Sequence, residues 1–233
     1  MKVAVLIAVL LTAACARSEP SKSDAVVPAP PAPATRAADA PHDTASPARP
    51  RIVFLGDSLT AGLGLGADQS YPSLIGKRLQ QRGYDYEVVN AGVSGDTSAG
   101  GVRRLDWSLE GDVRVLIVAL GGNDGLRGLP IDDLKKNLAS VLDRARERHI
   151  AVILAGMEAP PNNGPDYTRE FRQVYADLAR EYHVTFIPFL LAGVAGDASL
   201  NQADGIHPNV RGAEIVADLV WKELEPVLPR PTR

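Results

Sequence analysis

Past residue 50 the apolar residues fall into two alternating rhythms. Short, nearly unbroken apolar runs occupy 51–56 (RIVFLG), 87–90 (EVVN), 113–119 (VRVLIVA), 150–155 (IAVILA) and 184–187 (VTFI). Runs of this length, rich in Val and Ile and closed by glycine or polar residues, read as strands, and the longer ones as strands buried on both faces. Between them lie stretches near 70–82, 97–109, 131–148, 168–182 and 209–225 with helical spacing. In one of these, Ile131, Leu134, Leu138, Val141 and Leu142 share a face while Asp132, Lys135, Lys136 and Arg144 take the others, the pattern of a helix laid on a core. Five strand–helix units in series predict an α/β fold, a three-layer α/β/α sandwich around a five-stranded parallel sheet. Such sheets bind ligands beyond the carboxyl ends of their strands. The loops that matter are therefore 56–69, 90–97, 120–130, 156–167 and 188–208.

The first fifty residues follow neither rhythm. Lys2, an apolar run from Val3 to Leu11 and the residues Thr12-Ala13-Ala14-Cys15 make an export signal of residues 1–15. Its apolar run is far short of the roughly 20 residues of a membrane-spanning helix. Leu11-Thr12-Ala13-Ala14-Cys15 resembles a bacterial lipoprotein signal, in which the cysteine becomes the lipidated N-terminus, with Thr12 in place of the usual Leu. An ordinary secretory cut at Ala14-Cys15-Ala16 fits the small-x-small rule equally well. Residues 16–50 hold eight prolines, ten alanines and no aromatic residue, so they cannot bury enough apolar surface to offset chain entropy and read as a disordered linker. Extended, these 35 residues would span about 110 Å. The remainder, 51–233, is the size of one domain.

That domain carries 20 basic and 24 acidic side chains, a balance that argues against nucleic acid as a partner. Cys15 is the single cysteine, so neither disulfides nor thiol chemistry is expected in the domain.

The chemistry-bearing residues sit in the strand-end loops. The first strand opens into Gly56-Asp57-Ser58-Leu59. A serine there can raise its hydroxyl above the sheet with its amide facing the crevice, although an isolated Gly-Asp-Ser is more often a turn or a cap. Asp204-Gly205-Ile206-His207, before the last helix, offers an imidazole to take a hydroxyl proton and a carboxylate to orient it. An Asp-x-x-His alone can equally cap a helix or bind metal. The other histidines of the domain, His149 and His183, stand at a helix end and before a strand. Oxyanion donors are offered by the Gly92 amide in Asn90-Ala91-Gly92-Val93-Ser94-Gly95-Asp96-Thr97 and by the Asn123 carboxamide in Gly121-Gly122-Asn123-Asp124.

Gly56-Asp57-Ser58-Leu59, Gly92 in its loop, Gly121-x-Asn123-Asp124 and Asp204-x-x-His207 match, in order, the four sequence blocks of the SGNH (GDSL) hydrolases. The stretches 94–98, 120–128 and 204–209 resemble the thioesterase I/lysophospholipase L1 and arylesterase branch most closely. The resemblance covers nearly all of 51–233. It implies a flavodoxin-like five-stranded sheet, Ser58 as nucleophile, His207 as general base, Asp204 as its orienter, and an oxyanion hole of the Ser58 amide, the Gly92 amide and the Asn123 side chain. It also implies hydrolysis of carboxylic esters, acyl-thioesters or lysophospholipids through an acyl-serine, with no metal and no cofactor. Leu63, Leu126, Met157 and Pro160, with Leu65, Leu129 and Pro161, could line an acyl groove or simply cover the sheet edge. Arg127 could meet an anionic head group or a nearby carboxylate. The expected partner is a small-molecule or lipid ester. A monomer is favoured, exported to the periplasm of a Gram-negative-type bacterium or held at a membrane through lipidated Cys15.

Other readings are weaker. A two-metal phosphoesterase built on Asp57, Asn123, Asp124 and His207 lacks the several histidines such sites draw on. Gly62-x-Gly64-x-x-Ala67 begins six residues after the first strand, too late for a dinucleotide fingerprint. A tethered lipid- or glycan-binding module without catalysis and a carbohydrate-ester deacetylase remain as alternatives.

Overall fold

A computed structural model describes residues 49–231. The expected export signal, Cys15 and almost all of the expected linker lie outside the described residues. Five strands, β1 (Arg51–Gly56), β2 (Glu87–Gly92), β3 (Val113–Ala119), β4 (Ala151–Ala155) and β5 (Thr185–Ile187), form one sheet in the order β2-β1-β3-β4-β5. All four pairings are parallel. The chain is thus the expected α/β sandwich with a five-stranded parallel sheet. Strand order reverses at β1/β3, the flavodoxin-like arrangement whose ligands bind at that switch point.

The helices are α1 (Ser58–Ala61), α2 (Tyr71–Gln81), α3 (Ser98–Arg103), α4 (Leu105–Ser108), α5 (Gly122–Leu126), α6 (Ile131–Glu147), α7 (Pro165–Tyr182) and α8 (Val210–Leu224). Helix α2 packs with α8, while α6 packs with both α3 and α7; right-handed crossovers on either side of the switch point set these groups on opposite faces. Between them β1 and β3 are buried almost end to end, from Ile52 to Leu55 and from Val115 to Ala119. Their unbroken apolar sequences follow from burial on both faces. Edge strands β2 and β5 are less buried. No helix of the described residues is long and apolar enough to cross a membrane.

The structure departs from the sequence pattern in four places. Strand β2 runs on to Gly92. The expected helix at 97–109 is two short helices divided at Arg104, whose backbone leaves the α region (φ −110°, ψ 8°). Its guanidinium turns inward to the carbonyls of Gly56 (2.8 Å) and Ala91 (2.6 Å) and to the Asp96 carboxylate (2.7 Å). Helix α7 starts at Pro165, three residues early, because proline suits a first helical position and Gly164 supplies the turn before it. Finally, α1 and α5 are single helical turns inside loops.

Candidate active site

The expected nucleophile leaves β1 through a tight turn. Asp57 caps α1 by accepting the Leu59 N–H at 3.0 Å, and Ser58 is the first residue of that helical turn. No Cβ fits at Gly56, since it would strike Thr60. Ser58 therefore stands at the carboxyl end of β1, beside the switch point.

His207 arrives from 149 residues away, with Nε2 at 2.9 Å from Ser58 Oγ. Its Nδ1 lies 2.7 Å from Asp204 Oδ2. The turn that unites Asp204 and His207 is built by the carboxylate itself, because Asp204 Oδ1 accepts the N–H groups of Ile206 (2.9 Å) and His207 (3.0 Å). Those two backbone bonds and the imidazole hold the Asp204 carboxyl down to about 2, so it stays ionised across the working range. The base of the turn is closed by Gln202, whose N–H donates to the His207 carbonyl at 2.8 Å. The Gln202 side chain donates to the carbonyls of Leu63 (2.7 Å) and Pro208 (3.0 Å), tying the loop after Ser58 to the loop of His207. The Gly62–Ala67 run is occupied by this clasp, with Gly64 set against Gln202.

Asn123 lies in α5, directly after β3. Its Nδ2 donates to the Asp96 carbonyl at 2.9 Å and, more weakly, to Asp57 Oδ2 at 3.4 Å. The next residue, Asp124, faces away: its carboxylate accepts the Ser98 N–H (2.8 Å) and hydroxyl (2.5 Å) and is 2% exposed. That orientation removes Asp124 from the hard-ligand set of the phosphoesterase reading.

The structure corrects the place given to Gly92. It ends β2 beneath α1, where a Cβ would collide with the backbone of Thr60 and Ala61. Its N–H is taken by Asn90 Oδ1 at 3.0 Å. The glycine that reaches the crevice is Gly95, which borders the cavity above Ser58 and Asn123 and adopts φ +82°. Among the described residues neither Gly95 nor Ser58 uses its N–H in a hydrogen bond. The Gly95–Asp96 segment is gripped from α5, by Asn123 at the Asp96 carbonyl and by Arg127 at the Gly95 carbonyl (2.9 Å). Arg127 thus meets a backbone carbonyl rather than the nearby carboxylate.

Beside these groups opens a cavity of about 710 Å³, bordered by Ser58, Gly95, Asn123 and His207. Its walls include Leu63, Leu126, Met157 and Pro160, together with Pro161, Phe189 and Ile206. Leu63 and Leu126 are about half exposed at the mouth, while Met157 is buried. Leu65 and Leu129 do not border this space; Leu65 lines a small hollow that also touches Ser58 and His207, and Leu129 lines a hollow apart from them. Such a volume with mainly apolar walls and a few convergent polar groups fits a small organic ligand.

Asp57, beside Ser58, is 2% exposed. Burial pushes its carboxyl up to about 6 against the Leu59 N–H bond and the field of His207, which act the other way.

The profile of the GDSL-like lipase/acylhydrolase family matches residues 54–215, which include all of these groups. Esterase TesA of Pseudomonas aeruginosa is 44% identical over 178 residues, 76% of this chain and 89% of that protein. Thioesterase 1/protease 1/lysophospholipase L1 of Escherichia coli K12 is 35% identical over 178 residues, 76% of this chain and 84% of its own. A crystal structure of TesA, 44% identical, superposes with a TM-score of 0.73, covering 77% of this chain and all of that one. The chain belongs to the GDSL-like lipase/acylhydrolase family.

Proposed function

We infer that the protein is a serine esterase that hydrolyses carboxylic esters and acyl-thioesters through an acyl-Ser58 intermediate. The observation that carries this reading is the relay from Ser58 Oγ through His207 to Asp204, with steps of 2.9 and 2.7 Å, at the mouth of an apolar cavity. Membership of the family and the names of the relatives, an esterase and a thioesterase/lysophospholipase, support it.

In the first half-reaction Ser58 Oγ attacks the acyl carbonyl carbon while His207 Nε2 takes the hydroxyl proton. Asp204 accepts the Nδ1 proton in a hydrogen bond and stabilises the imidazolium. The oxyanion is met by the N–H groups of Ser58 and Gly95 and by Asn123 Nδ2, whose hydrogen toward Asp57 is only weakly held at 3.4 Å and can be shared with the oxyanion. Collapse breaks the bond to the leaving oxygen or sulfur, which receives the proton from His207. Water then attacks the acyl-serine with His207 again as base, and the carboxylic acid and free Ser58 are released. Losing one oxyanion donor in such a site costs about 10²–10³ in rate.

Fluorophosphonate labelling followed by peptide mapping tests the assignment. The adduct is expected on Ser58, and Ser58→Ala is expected to keep the fold while losing both the label and at least about 10³ of the turnover of a p-nitrophenyl ester. Full turnover by purified Ser58→Ala, free of contaminating hydrolase, would refute it. Export through residues 1–15, followed either by release into the periplasm or by anchoring through lipidated Cys15, completes the proposal; the pattern of those residues supports both endings.

A further inference from the structure

Glu158 is a charged residue of the cavity wall to which the esterase reading gives no role. It follows β4 between two buried apolar residues, Met157 and Ala159, while its own side chain is 41% exposed. It borders the same space as Leu126, Met157 and Pro160. Asp57 is the other acidic residue on that border, and no Lys or Arg lies on it among the described residues. Two guanidiniums that adjoin lining residues already have partners. Arg172 of α7 holds Glu158 Oε1 at 3.3 Å from outside the lining, and Arg127 holds the Gly95 carbonyl.

We propose that Glu158 makes the cavity select its acyl chain by charge, favouring uncharged or cationic chains over chains that end in a carboxylate. The inference rests on the esterase reading. An apolar acyl chain laid along Leu126, Met157 and Pro160 would lie in a space that Glu158 also borders, so that a terminal carboxylate there would meet the field of a like charge beside low-dielectric walls and a cationic terminus that of an opposite one. Arg172 offsets part of this field, yet both partners are well exposed, and such a pair does not neutralise its surroundings fully.

The test compares three p-nitrophenyl esters, the butyrate, the hemiglutarate and the γ-trimethylammoniobutyrate, with wild type, Glu158→Gln and Arg172→Gln. The readout is the ratio of kcat/KM for each charged ester to that for the butyrate, measured on one preparation so that any loss of active protein cancels. Glu158→Gln is expected to raise the anionic ratio about five-fold or more and to lower the cationic ratio similarly. Arg172→Gln is expected to move both ratios the opposite way, and both effects should shrink as ionic strength rises toward ~0.5 M. Ratios that stay within about two-fold of wild type in Glu158→Gln, with the butyrate still hydrolysed, overturn this inference and leave the esterase standing. Hydrolysis of none of the three esters by wild type overturns both.

Discussion

Asp57 occupies the least comfortable position in the site, since its carboxyl is buried while its two oxygens serve different neighbours. One caps α1 and so aims Ser58; the other receives Asn123. A carboxyl whose folded-state value rises from 3.8 to about 6 binds its proton more tightly when folded. Its relative contribution to stability is therefore fully present below the unfolded value and lost as pH rises through about 6. Compared with Asp57→Asn, wild type should lose up to about 3 kcal/mol of unfolding free energy between pH 4 and 7, read by urea denaturation at each pH. A pH-independent difference would mean that Asp57 stays ionised in both states. The same short region shows what was legible in the chain. Ser58, Asp204 and His207 stood out because each needs its own chemistry, and the structure brings them within hydrogen-bonding distance. Gly92 and Gly95 are the same residue type three positions apart, so spacing alone did not separate them. A usable signal was present in Asn90-Ala91-Gly92, where an asparagine accepts the N–H two residues on and withdraws it from the crevice.

At the level of elements, the strands that were easiest to read are those buried on both faces, β1 and β3, whose sequences are nearly continuous apolar runs. Strand β5 has three residues and β2 is half-exposed, so their limits depend on neighbours rather than on their own composition. The break between α3 and α4 was not legible for a similar reason: it follows the Arg104 side chain to the ends of two strands, and the Gly56 carbonyl it reaches lies 48 residues away in sequence. Helix α7 ends with His183 in the left-handed region at φ 53°, a position usually given to glycine, with its backbone N–H returning to the Ala179 carbonyl. The residue is exposed, so relief of backbone strain is the main effect of changing it. His183→Gly should raise stability by about 0.5–1 kcal/mol, after allowance for the extra unfolded-chain entropy of glycine, with no change in esterase kinetics. Thermal unfolding of the two proteins checks this, and a lower Tm for the variant would mean that the His183 side chain holds α7 in a way the helix cap does not explain.

For the whole molecule, the proposed attachment determines which esters it meets. If Cys15 is the lipidated residue, wild type fractionates with membranes and its N-terminal peptide carries the mass of acyl chains, whereas Cys15→Ser leaves the protein in the soluble exported fraction with unchanged kcat/KM on a soluble ester. Wild type that is already soluble and unacylated would assign the leader to ordinary secretion. The chain also has a direction in time. Ser58 lies near the beginning of the folded part and its base near the end, joined across 149 residues by one hydrogen bond. A growing chain thus carries Ser58, Gly95 and Asn123 long before the imidazole proposed to activate Ser58 exists. In the esterase reading, chains that stop short of His207 are expected to lack hydrolytic power, which arrives only as synthesis nears completion.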